Sequence, residues 1–228
     1  MNDKSKKIKG LNRGMTYVEL IVVMGIFSIM AGVVFFKYAD FGRQIDLQNL
    51  SQDIALQIVQ AQKIALAGKQ PNATEAGSAL LITDWKPAYG VYFSTATPMN
   101  PNPNNFANNA LFIPFIDAYN FGEYIQGTCA TDVNGPSSEC MNLISIGKGD
   151  YIRSLCVGDS DLAVDCSNGT QESDLYVTFT RPDSSAVISN VSLGGNPQPK
   201  AIITISSHLD NAFTKYITVY GSGRVETN

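Results

Sequence analysis

The chain opens polar, turns apolar at position 15 and stays so to position 36, in the run MTYVELIVVMGIFSIMAGVVFF, where Glu19 is the only ionisable side chain. A helix over this run spans ~30 Å, the thickness of a bilayer's hydrocarbon core. It reads as a membrane segment. Beyond it the apolar positions continue as Phe41, Ile45, Leu47, Leu50, Ile54, Ile58, Ala61, Ile64 and Ala65, mostly three and four apart, which is the spacing of an amphipathic helix. The polar side carries Arg43, Gln44, Gln48, Gln52, Gln57, Gln60 and Lys63, and Gly68 with Pro71 forms a stop. No proline interrupts 15–69, so the pattern predicts one helix from Thr16 to about Ala67. At standard rise that is ~78 Å, more than one globular domain can cover. Gly25 and Gly32 are its soft points.

After Pro71 the period changes from helical to alternating. Strands are expected at 88–94, 110–116, 174–181, 186–193, 200–206 and 215–220, as in the alternation Leu175-Tyr176-Val177-Thr178-Phe179. Clusters of Gly, Pro, Asn and Ser separate them, and the last four read as an antiparallel meander. The expected class is α+β, with the amphipathic half of the helix (37–68) covering one face of an antiparallel sheet in a β-rich head at 72–228. That head is large enough for a single core. The stretch at about 94–173 reads as an insertion, opening on the Pro- and Asn-rich loop TPMNPNPNNFANN.

Charge then gives the first segment a direction. Residues 1–14 hold Lys4, Lys6, Lys7, Lys9 and Arg13 against Asp3, and basic residues beside an apolar run stay on the cytoplasmic side. Glu19 is costly there, by roughly 3 kcal/mol on insertion scales, and calls for a partner. A cut after Gly14 would create one, the α-amine of Met15 one helical turn away.

The run Gly14-Met15-Thr16-Tyr17-Val18-Glu19-Leu20 closely resembles the processing signal of type IV pilins and pseudopilins. The resemblance implies a pilin-like fold and a cut after Gly14 by an inner-membrane prepilin peptidase. It further implies methylation of the new N-terminus at Met15 and assembly into a helical filament. Glu19 is then the assembly carboxylate, pairing with the Met15 amine of a neighbouring subunit. Its independent logic is that an ion pair in apolar surroundings fixes register between otherwise slippery helices. Two positions depart from the family pattern: Met15 stands where phenylalanine is commoner, and Phe36 where many major pilins have a helix-softening proline. The Gln- and Ala-rich helix at 50–66, the aromatic strand Tyr89-Gly90-Val91-Tyr92-Phe93 and the closing Tyr216-Ile217-Thr218-Val219-Tyr220-Gly221-Ser222-Gly223-Arg224-Val225 resemble H-type minor pseudopilins and related minor pilins. The partners implied are prepilin peptidase, other pilin or pseudopilin subunits, an inner-membrane assembly platform and, before assembly, the lipid bilayer. The location implied is a single-pass inner-membrane protein with its C-terminal domain outside the cytoplasm. A subunit that keeps Glu19 has a neighbour above it to match, which argues for a position within the stack.

Three other features bound the chemistry. Past the leader the chain holds eleven basic and nineteen acidic residues, and the basic ones are scattered, which disfavours nucleic acid. Cys129, Cys140, Cys156 and Cys166 are even in number in an exported domain and read as disulfides. Of the three connectivities, the local pairs Cys129 with Cys140 and Cys156 with Cys166 are favoured because short loops close cheaply. The cysteines lack C-x2-C zinc spacing, and Asp159, Asp161 and Asp165 lack the EF-hand pattern, so they read as a solvated turn rather than a calcium site. His208 is the only histidine, and no nucleophile has an identifiable base. The expectation is a non-enzymatic chain without a cofactor: a filament subunit, an adhesin or ligand-binding module displayed on a filament, or a membrane-anchored protein that does not polymerise.

Overall fold

The computed structural model describes residues 14–69, 87–95, 109–117, 140–159, 161–189, 196–207 and 213–228. The basic leader before Gly14, positions 97–108 of the Pro- and Asn-rich loop, Cys129 and His208 lie outside the described residues. The chain divides into two compact units, Met1–Gly42 and Arg43–Asn228. The class is α+β: helix α1 (Tyr17–Ala67) and ten strands in two antiparallel sheets among the described residues.

In the first unit, Tyr17–Phe35 is long and apolar enough to cross a membrane, with mean hydropathy 2.5 and none of it buried.

In the second unit the helix turns one narrow stripe inward. Leu47, Ser51, Ile54, Ile58, Ala61 and Ala65 are all buried, four and three residues apart, whereas Ile45 is exposed. Ser51 fits this apolar stripe because its hydroxyl donates to the carbonyl of Gln48 at 2.7 Å. Gly68, at φ +62°, ends the helix in the left-handed conformation, its N–H bonded to the Ala65 carbonyl at 3.0 Å.

The first sheet has the order β3-β2-β1-β6-β7, with β1 (Ala88–Ser94) flanked by β2 (Leu111–Asp117) and β6 (Asp174–Phe179), and β3 (Ile144–Ser145) and β7 (Ala186–Ser189) at its edges. The second has the order β10-β9-β8-β4-β5, made of β4 (Tyr151–Gly158), β5 (Thr170–Glu172), β8 (Lys200–Ser206), β9 (Thr214–Tyr220) and β10 (Val225–Thr227). The expected four-strand meander is therefore divided: β6 and β7 belong to one sheet, β8 and β9 to the other. The helix also does more than cover one sheet face. Its Leu47, Ile54 and Ile58 join one hydrophobic cluster with Val91 and Val177 of the first sheet and Leu155, Ile203 and Ile217 of the second.

The segment at 94–173 supplies β2, β3, β4 and β5, so it is built into both sheets. On the far face of the first sheet, Tyr92, Ile113, Phe115 and Tyr176 form a second cluster, with Tyr92 and Tyr176 stacked at 5.1 Å. The Tyr92 hydroxyl donates to Asp174 at 2.5 Å, and burial first, then that carboxylate, pushes the phenol above its ordinary range.

Candidate functional site

The first unit presents one arrangement of interest and the second presents three. In the first, Gly14, Met15 and Thr16 precede the helix and Glu19 lies in its first turn. The Thr16 side-chain oxygen accepts the Glu19 N–H at 3.3 Å, and its carbonyl accepts the Leu20 N–H at 3.2 Å. Thr16 is thus the N-cap and Glu19 the third helical residue, the spacing of a capping box. That pattern, Thr-x-x-Glu ahead of an apolar run, is legible in the sequence and gives Glu19 a local role beside the one the resemblance implies. A carboxylate in the first turn is favoured by the exposed N–H groups and dipole of the helix end. Gly14, Met15 and Glu19 are all exposed.

In the second unit the disulfide Cys156–Cys166 is formed, and Cys140 is disulfide-bonded too; its favoured partner Cys129 lies outside the described residues. Cys156 is wholly buried in β4 and belongs to a small cluster with Leu162 and Ile202 on the outer face of the second sheet. The loop between β4 and β5 is fastened to that face. Leu162 inserts into the cluster, Cys166 is covalently tied, and Lys200 Nζ donates to the Leu162 carbonyl at 2.9 Å. Inside the loop, Asn168 accepts the Ala163 N–H at 2.6 Å and donates to the Asp161 carbonyl at 2.8 Å. Asp165 accepts the Ser167 N–H at 3.1 Å, and the Ser167 donors hold its exposed carboxyl below the usual range. Asp159 and Asp161 are exposed turn residues, and among the described residues no group of three His, Cys, Asp or Glu side chains is placed to hold a metal ion.

Beside this loop, the outer face of the second sheet carries a polar cavity of about 370 Å³. Arg153 and Ser154 of β4, Thr204 of β8 and Thr214 and Tyr216 of β9 line it. The alternation in β4 is interrupted by a bulge between Ile152 and Ser154, which lets both Ile152 and Leu155 face the core and sends Arg153 and Ser154 outward. None of these cavity residues was singled out as a site by residue type in the sequence; Ser154, Thr204 and Tyr216 become neighbours only through the pairing of three strands.

A third feature lies where the helix enters the second unit. Lys148, at φ +61°, pairs with Asp46 at 2.5 Å, and Asp150 is buried beside it. Burial raises the Asp150 carboxyl above its ordinary range, opposed by its hydrogen bond with Ser207.

Compared with protein-family models, with curated proteins and with solved structures, the chain matches none.

Proposed function

We propose that the chain is a structural subunit, a minor pilin or pseudopilin, of a type IV pilus, type II secretion or competence-type filament. A prepilin peptidase cuts it after Gly14, and it assembles through its N-terminal helix. The observation that carries this reading is the junction itself: a basic leader, Gly14, and an exposed Glu19 in the first turn of an apolar helix with no buried residue in its 19-residue span. An apolar helix of this kind is covered by lipid before assembly and by neighbouring helices afterwards. The pairing of Glu19 with the Met15 amine of a neighbour sets the axial step of the filament, because removing either partner leaves an uncompensated charge in apolar surroundings. The pilin-like head is the α+β unit of helix and two sheets, held outside the cytoplasm where its disulfides persist.

A second reading, a membrane-anchored protein that does not polymerise, is favoured by one observation, the Thr16 cap, which gives Glu19 a place in the helix without a neighbour. Intact mass and N-terminal sequencing of the membrane-extracted protein test the pathway. Loss of residues 1–14 with one added methyl group supports the filament reading, and an uncut Met1 refutes it.

A further inference from the structure

We propose that the cavity on the outer face of the second sheet is a binding site for a neutral saccharide unit, free or at the end of a glycan. The inference is independent of the filament reading and holds for any exported form of the head.

Its starting point is Thr204. This residue is 4 % exposed, and its hydroxyl has no hydrogen-bond partner among the described residues. Buried hydroxyls in folded proteins are almost always satisfied, so an unpartnered one on a residue that lines a cavity marks a group that a bound ligand would satisfy. Thr204 pairs with Ser154 on one side and Tyr216 on the other, which places three hydroxyl-bearing side chains in one row across β4, β8 and β9. The Thr214 hydroxyl and the Tyr216 phenol lie 3.2 Å apart, and both line the same cavity.

The chemistry of the lining selects the ligand class. The charged residues of the lining, Arg153 and Asp165, are opposite in sign, so an anion meets a carboxylate and a cation meets a guanidinium. Apart from Val164 and the disulfide-bonded Cys166, the rest is a dense mixture of groups that donate and accept: hydroxyls of Ser, Thr and Tyr and the amide of Gln171. A molecule carrying several hydroxyls, each both donor and acceptor, matches that mixture, and the half-buried Tyr216 ring offers an apolar surface for the C–H face of a sugar. A cavity of about 370 Å³ lies within the small-molecule range. Its wall at 164–166 is held by the Cys156–Cys166 bond, so little ordering is required on binding.

The test uses the full chain in a detergent without a sugar headgroup. Saturation-transfer NMR is run with glucose, galactose, N-acetylglucosamine, N-acetylgalactosamine and their disaccharides, and with glucuronate and inorganic phosphate as anionic arms. Glycan-array binding of the same preparation separates a free sugar from a glycan terminus. The expected result is transfer to at least one neutral sugar. Thr204→Val, which removes the hydroxyl at nearly constant shape, should weaken that binding about tenfold while leaving the melting temperature without ligand unchanged or higher. Gln171→Ala, at an exposed position that the fold tolerates, should weaken it as well. The proposal is overturned if no neutral sugar receives saturation, if only glucuronate or phosphate does, or if both variants bind like the native chain. A clear drop in melting temperature for Thr204→Val also overturns it, because the hydroxyl is then satisfied within the fold.

Discussion

The side-chain oxygen of Thr16 accepts the backbone N–H of Glu19 at 3.3 Å, so the residue that caps the helix also bonds the backbone of the only carboxylate in the apolar run 15–36. Two roles thus meet at Glu19, a local one at the capping-box position and the proposed one of an assembly charge, and a single substitution separates them. Glu19→Gln keeps the cap, since glutamine serves equally at the third helical position, but removes the charge. The expected outcome is a protein inserted and cut like the native one whose recovery in sheared filaments falls at least tenfold, as immunoblotting of the sheared fraction measures. Native-like recovery would leave the carboxylate with its local role alone. Thr16→Ala, by contrast, costs about 1 kcal/mol of first-turn stability and leaves assembly largely intact.

Gly90 in central strand β1 has no room for a side chain: an added Cβ would meet the Val177 carbonyl oxygen, the Thr178 side chain and the Phe115 ring. Gly90→Val is expected to push β1 away from β6 at a cost of ~1–3 kcal/mol, the usual range for overpacking. Urea unfolding checks this. The midpoint should fall with the slope unchanged, because the surface exposed on unfolding is the same.

The long helix was the most legible element, and the reason is physical. Its apolar run, its period and the Gly68 stop are all local, and the observed end at Ala67 coincides with the expected one. The strands at 88–94 and 200–206 were equally plain because both are uninterrupted apolar or alternating runs. Strand β4 escaped because its bulge breaks the alternation: Ile152 and Leu155, three apart, face the same core. Short strands β3, β5 and β10 carry too few residues for any period to show. The division of the meander depends on which strand β8 pairs with, and β4 lies more than forty residues upstream, beyond the reach of any local signal. The cavity is hidden for the same reason, since Ser154, Thr204 and Tyr216 are ordinary strand residues until three strands align them.

The Cys156–Cys166 bond closes a ten-residue separation, and a loop of that size stabilises by ~2–4 kcal/mol through the restricted unfolded chain. The double variant Cys156→Ser, Cys166→Ser should lose about that much in urea unfolding. It also frees the loop that carries Leu162, so limited proteolysis should cut first within 159–169 in the variant and elsewhere in the native chain. Equal cleavage of that loop in both proteins would show that Leu162 and the Lys200 contact hold it unaided.

Asp150 carries a pH signature of defined sign. Its carboxyl is raised by burial, with Asp46 adding to the shift and the Ser207 hydrogen bond and Lys148 opposing it. A folded value above the unfolded one of about 3.9 means the folded state holds the proton more tightly. The contribution to stability is then full below the unfolded value and is lost as pH rises through the folded one. Asp150→Asn removes this titration while keeping an acceptor for Ser207. The variant should therefore melt with the native chain at pH 3, gain a growing advantage as pH rises above about 4, and hold a constant advantage once the native carboxyl is fully ionised. Calorimetric melting of both proteins across that range checks the shape of the difference. An offset independent of pH would assign the effect to packing, and an advantage that shrinks with rising pH would mean that the Ser207 hydrogen bond and Lys148 together outweigh burial at this site.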